Sequence, residues 1–153
     1  MATMCKLYTD TAQTIPPETW TTVRFDQVLK DTGTMYQGTG SVADPESALI
    51  APDQDGDFIW FRKVHWASIG SSGGGVQFIE RFVRDPYETD PYPQDNDSTG
   101  GDDSNDTPGQ EFNVGAWAFK GRAGQPVAIE VWHNHTSPVD VVHAQFVAMT
   151  WDY

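Results

Sequence analysis

Apolar side chains fall at every second position through roughly the last forty residues, and this spacing restricts the fold more than any other feature of the chain. Val127, Ile129 and Val131 alternate in one run, and Val142, Ala144, Phe146 and Ala148 in the next. A helix would repeat its apolar positions at three and four residues, whereas a pleated strand places alternate residues on one side. Strands are therefore predicted at 115–119, 127–133 and 142–153, joined by short turns. The second side of the closing strand carries His143 and Gln145, followed by Val147, Met149, Trp151 and Tyr153. A monomer rarely leaves four large apolar groups open to water, so these four are the candidate subunit interface.

A chain of 153 residues suits one domain, 1–153, and a globule of this size hides roughly two thirds of the surface that its unfolded form exposes. The net charge of −13 repels a nucleic-acid backbone, and no basic cluster offsets it, so no nucleic-acid partner is expected. Arg62 with Lys63 is the longest basic group and is read as facing solvent. Cys5 is the single cysteine; it excludes an intrachain disulfide and reads as a small buried hydrophobe. The first ten residues lack the apolar stretch of a signal peptide, and no run of 18 uncharged apolar residues occurs. Synthesis in a cytoplasm and no membrane insertion are the expectations.

Punctuation divides the rest into short strands. Candidates lie at 6–8, 20–25, 47–51 and 58–67, with a helical turn near 26–30 and a turn at Asp31-Thr32-Gly33, where glycine can supply a positive φ. The run 58–67 is apolar on both sides at Phe58, Ile59, Trp60 and Phe61 and reads as a central strand covered on both faces. The Ser- and Gly-rich stretch 70–75 lacks the lysine of a phosphate-binding loop and reads as a turn, which would pair 76–83 with 58–67. About eight strands result, and a jelly-roll sandwich accommodates them. Trp20, Trp60, Trp66, Trp117 and Phe146 are the expected core.

Residues 85–111 interrupt this pattern. They hold nine of the 22 acidic residues and no lysine or arginine, a composition that cannot order itself as core, so the segment is read as an inserted acidic surface loop. Pro86, Pro91 and Pro93 would stiffen its first half.

The order Val23-Arg24-Phe25-Asp26-Gln27-Val28, then Asp31-Thr32-Gly33 with Tyr36, Ala51-Pro52, Gly56-Asp57-Phe58-Ile59-Trp60 and Ala123-Gly124-Gln125-Pro126-Val127 resembles the globular head of the C1q and tumour-necrosis-factor-like superfamily. The likeness runs from about Trp20 to Tyr153, and Phe146 fits the closing strand of that family. It implies an antiparallel jelly roll that assembles as a homotrimer and binds other molecules through loops and outer faces. Unlike that family, the chain shows no collagen-like or coiled-coil stalk and inserts the acidic loop. A stand-alone head of this kind is similar to the small virion proteins of tailed bacteriophages, which decorate a capsid or contact the host from the tail. Other virion proteins and a host-surface molecule are the partners that this implies, with the virion surface as location.

Two patterns suggest metal chemistry. In the stretch 95–106, Asp95, Asp97, Asp103 and Asp106 place oxygens in a calcium-loop register, with Gly100 for the sharp turn. The flanking helices of an EF-hand are missing, so the stretch reads first as a hydrated acidic loop and second as a calcium site. Asp53, Asp55 and Asp57 form a weaker cluster that reads as a polar turn. His133 and His135, two apart, would point to one side of a strand, and His143 with Asp140 could complete a metal shell in the manner of a cupin-like β-barrel enzyme. The Gly-rich lead-in and trailing Glu of that family are absent, and no other pattern singles out a catalytic group. A non-enzymatic binding protein is the favoured reading, with the cupin-like metal enzyme as its alternative.

Overall fold

The computed structural model describes residues 2–69, 76–93 and 112–150. Ten strands form: β1 (Met4–Thr9), β2 (Gln13–Ile15), β3 (Thr21–Thr22), β4 (Gln27–Asp31), β5 (Gly56–Trp66), β6 (Phe78–Arg84), β7 (Tyr92–Pro93), β8 (Phe112–Gly121), β9 (Val127–His133) and β10 (Val139–Thr150). They make two antiparallel sheets. One has the order β4-β1-β10-β5-β8 with β2 also paired to β10, and the other runs β3-β9-β6-β7. This is the jelly roll expected from the alternating pattern.

The sheets close over side chains that their pleats turn inward. Cys5 and Leu7 come from β1, Trp60, Val64 and Trp66 from β5, and Ala144, Phe146 and Ala148 from β10; Phe78 and Phe82 with Ile129 and Val131 answer from the other sheet. Phe146 lies at the centre, with ring centroids 6.0 Å from both Trp60 and Phe25 and 6.1 Å from Phe82. Trp60 stacks on Phe119 at 4.9 Å. Tilted and offset contacts of this kind stabilise beyond the area they bury.

Several local expectations change. In β10 the register against β5 shifts between Val141 and His143. A one-residue bulge reverses the in-and-out order, so Val141 is buried while Val142 leaves the core face, contrary to its grouping with Ala144. The segment predicted as a helical turn is the strand β4, because the edge of β1 offers it hydrogen-bonding partners. The strand predicted at 47–51 is a 3-10 turn, Pro45–Ala48, followed by single bridges from Ile50 to Tyr36 and Val127. Asp44 caps that turn by accepting the Glu46 N–H, and Pro45 supplies a preset φ, which together outweigh the apolar run.

β6 does not pair with β5. Both edges of β5 are taken by β10 and β8, so the chain crosses to the other sheet and β6 pairs with β9 and β7. In the turn after β4, the left-handed residue is Thr34 and not Gly33. A Cβ on Gly33 would sit 2.6 Å from the Asp53 carboxylate, so that exposed side chain would have to move aside to admit one. Of the expected core, Trp60, Trp66 and Phe146 are fully buried, whereas Trp20 and Trp117 are 36% and 43% exposed. The described part of the acidic segment starts with Asp85 in a left-handed conformation and folds back as β7 along β6.

Candidate functional site

The outer face of the six-stranded sheet is where the sequence expectation and the structure meet. Directly opposed residues of antiparallel strands share a face, so the register gives the surface row by row. Met4, Met149, Ile59 and Ala118 form one row, and Lys6, Val147, Phe61 and Ala116 the next. Tyr8, Gln145, Lys63 and Val114 follow, then His143 beside His65. Phe61 is 36% exposed and Val114 58%, while Val147, Met149 and Ile59 are half-buried. The result is an apolar stripe across the middle strands that no other part of the described chain covers completely. The expectation that 58–67 is covered on both faces is corrected accordingly: Phe58, Trp60 and Val64 are inside, Ile59 and Phe61 outside.

Val147 and Met149 thus stand on this outer face, as their spacing predicted. Trp151 and Tyr153 lie outside the described residues. The alternation of β8 was the missed signal, because Val114, Ala116 and Ala118 extend the same apolar surface. Trp117 points to the other side of β8, an edge strand beyond the cover of the shorter sheet, and so forms a second exposed apolar group at a different angle.

One end of the face is polar. Asp10 accepts hydrogen bonds from the Tyr8 hydroxyl and, at 2.9 Å, from His143 Nδ1. The Tyr8 hydroxyl and His143 together hold the Asp10 carboxyl below its usual range, and Asp10 pushes the Tyr8 hydroxyl up. The His143 ring lies edge-on to Tyr8 at 5.0 Å and to His65 at 6.4 Å.

The histidine pair proposed as metal ligands is arranged differently. His133 is buried, its Nε2 2.9 Å from the Ile15 carbonyl oxygen, to which it donates, while its Nδ1 accepts the His135 N–H at 3.1 Å. Both ring nitrogens are committed, and no lone pair is left for a metal. Burial pulls the His133 pKa down, which keeps the ring neutral. His135 Nδ1 accepts the Ser137 N–H at 3.2 Å, Asp140 accepts the Thr14 hydroxyl at 2.7 Å, and His143 faces Asp10. These groups brace separate turns and strands and do not converge. Among the described residues, no group of three or more His, Cys, Asp or Glu side chains could hold a metal ion. Asp95, Asp97, Asp103 and Asp106 lie outside the described residues. Asp55 accepts the Ala123 N–H at 2.8 Å, in keeping with a polar turn.

Other polar groups are structural. Arg62, expected in solvent, is buried, with its guanidinium 4.8 Å from the Phe82 ring centre. The even spacing of Trp60, Arg62 and Val64 could have shown this. Gly115 leaves room for it, since a Cβ there would lie 2.6 Å from Arg62 Cζ. Nearby, the buried Glu80 accepts hydrogen bonds from Trp66 Nε1 at 2.9 Å and Asn113 Nδ2 at 2.7 Å. On the outer face of the other sheet, Trp20 lies 3.8 Å from the Arg81 guanidinium, which binds Glu130 through two nitrogens at 2.8 and 2.6 Å. Cys5 is buried between β10 and β4, and burial followed by the Asp31 charge pushes its thiol far above the usual range.

No protein-family model matches the chain, and no curated protein matches it. Solved structures do resemble it. The globular domain of zebrafish complement 1qA superposes with a TM-score of 0.61 over 99% of this chain and 98% of that one, at 11% identity. Murine APRIL gives a TM-score of 0.64 over 99% of this chain and 100% of its own, at 8% identity. Eiger TNF from S. frugiperda gives 0.50 at 12% identity, over 100% of this chain and 94% of that one. At these identities the likeness is one of fold, and the fold is the C1q/TNF-like jelly roll.

Proposed function

We propose that the chain is a non-enzymatic structural and binding module that assembles as a homotrimer and serves on the surface of a bacteriophage particle, as capsid decoration or as a tail protein contacting the host. The observation that carries the assembly is the apolar stripe of Met149, Ile59, Val147 and Phe61 on the outer face of the six-stranded sheet. Surfaces of this kind mark interaction sites. Trp117 adds a second exposed apolar group that points away from this face. Two different surfaces favour a head-to-side contact, which closes as a ring, over a two-fold contact of one patch with itself. Three copies is the number that the family resemblance implies.

The absence of a convergent metal or nucleophile geometry at His133 and His135 supports a binding role over the cupin-like enzyme. A single buried thiol suits synthesis in a reducing cytoplasm before assembly on the particle. The reading of 1–153 as one domain with an acidic insertion at 85–111 belongs to this proposal, as do Trp151 and Tyr153 as interface residues. Sedimentation of the purified protein at micromolar concentration should give the mass of three copies; a monomer would remove the assembly reading. Imaging of intact particles with a bound antibody fragment should locate the protein on capsid or tail, and its absence from particles would end the virion reading.

A further inference from the structure

The outer face of the four-stranded sheet is covered at one end and open at the other. Along β6, Ile79, Arg81 and Val83 point outward, directly opposite Trp132, Glu130 and Ala128 of β9. Val83 and Ala128 are buried in a cluster with Ala48 and Leu49 from the end of the 3-10 turn. Beyond that cover lies a patch of Trp20, Trp132, Ile79, Arg81 and Glu130. Trp20 is 36% exposed, Trp132, Ile79 and Arg81 are half-buried, and Glu130 is buried.

Trp20 is aimed by the turn that precedes it. Glu18 takes a left-handed φ of 51°, its N–H donates to the His133 carbonyl at 2.8 Å, and the Thr19 and Thr21 hydroxyls donate to the Pro17 and Thr19 carbonyls. Strain of this kind in a residue with a side chain collects where geometry serves a function. The Trp20 indole stands 6.4 Å from that of Trp132, with the planes 36° apart, and carries the Arg81 guanidinium at 3.8 Å. Arg81 Nε and Nη2 both donate to one carboxylate oxygen, Glu130 Oε2, at 2.8 and 2.6 Å. Among the described residues, Arg81 Nη1 and Glu130 Oε1 make no hydrogen bond. A fixed ion pair therefore keeps one donor and one acceptor unused beside two indoles. A latch over the ion pair would account for the stacked guanidinium, but it needs neither the second indole nor the strained turn.

Charge narrows the choice of ligand. Arg81 and Glu130 cancel one another, so the pair draws in no net charge. An anion would also meet Glu18, two residues from Trp20, on a chain of net charge −13. A cation would meet the guanidinium on the ring it needs. A neutral ring with C–H groups on its faces and hydroxyls at its rim suits every part: the C–H face rests on indole, one hydroxyl accepts from Arg81 and another donates to Glu130. We propose that this patch binds a neutral sugar unit of a glycan. The inference rests on the binding role proposed above and gives it a ligand class. The patch is on the opposite side of the sandwich from the apolar stripe, so it stays open in an assembly formed through that stripe, and three copies would present three such sites.

The test is retention of the purified chain on an array carrying neutral oligosaccharides of glucose, galactose, mannose and N-acetylhexosamines, acidic oligosaccharides, and unglycosylated peptides. At least one neutral oligosaccharide should retain it, and the same compound in solution should alter the indole fluorescence. Trp20→Ala should weaken that binding about tenfold or more at an unchanged urea midpoint. Trp20→Leu keeps apolar bulk over Arg81 without the aromatic face, so it should weaken binding to the same degree and serves where the alanine variant loses stability. Leu29→Ser, at an exposed apolar side chain of the other sheet, should bind as the wild type does. Retention on none of the neutral compounds, retention only on acidic oligosaccharides or peptides, or full binding by a folded Trp20 variant overturns the proposal. A chain that sediments as a monomer yet binds through Trp20 would end the assembly reading alone, and an oligomer that binds no neutral sugar would end this one alone.

Discussion

Phe146 touches Trp60, Phe25 and Phe82 from the middle of the longest strand, so its removal opens a cavity that rigid rings on three sides cannot fill. Phe146→Ala should cost about 3–5 kcal/mol of stability, read from the urea midpoint. His133 gives a pH dependence with a definite sign. Its folded pKa is depressed by burial, so below the unfolded value of about 6.5 the unfolded chain takes up a proton that the folded chain refuses. Stability should be undiminished above that pH and fall as the pH drops below it, with a slope approaching about 1.4 kcal/mol per unit from this residue. Urea unfolding at a series of pH values checks this, and His133→Gln should flatten the slope even where it lowers stability overall. At this scale the sequence was informative about which residues are apolar and less so about where polar ones go. Arg62 and His133 both sit at inward positions of their strands, and only their spacing to Trp60 and Val131 reveals it.

Strands announced themselves where alternation was regular, as in β9, and misled where one residue broke the count. The bulge in β10 moves Val142 out of the core face without any local signal, because both Val141 and Val142 are apolar and the shift is set by pairing with β5 and β2. The turn at Pro45–Ala48 was hidden for the opposite reason, since Asp44 and Pro45 carry a cap signal that the neighbouring apolar run obscured. Gly38 packs against this turn; an added Cβ would meet Ser47 Cα and Oγ at 2.4 Å. Backbone must move to accept it, so Gly38→Ala should destabilise by more than about 1 kcal/mol, a loss that thermal unfolding would register. Gly124→Ala meets no neighbour within 4 Å and suffers only from its φ of 73°. Its cost should be smaller, about 1 kcal/mol.

At the scale of the molecule, the outer face of the six-stranded sheet is where the proposed assembly is tested. Phe61→Asp with Val147→Asp places charges in the centre of the stripe while leaving every inward-facing side chain untouched. The variant should fold with an unchanged circular dichroism spectrum and sediment as a monomer; persistence of the oligomer would place the contact elsewhere. The existence of this surface was legible from the second side of the closing strand alone. Its extent was not, because Phe61 and Ala116 join Val147 only through pairings between strands far apart in sequence, which a reading along one strand does not supply.

Cys5 offers a practical consequence of the way the first strand is enclosed. Its sulfur is the chain's only one of its kind and is wholly covered between two neighbouring strands. An alkylating reagent can reach it only when the structure around that strand opens, so the labelling rate of the native protein becomes a clock for opening of the β4-β1-β10 part of the sheet.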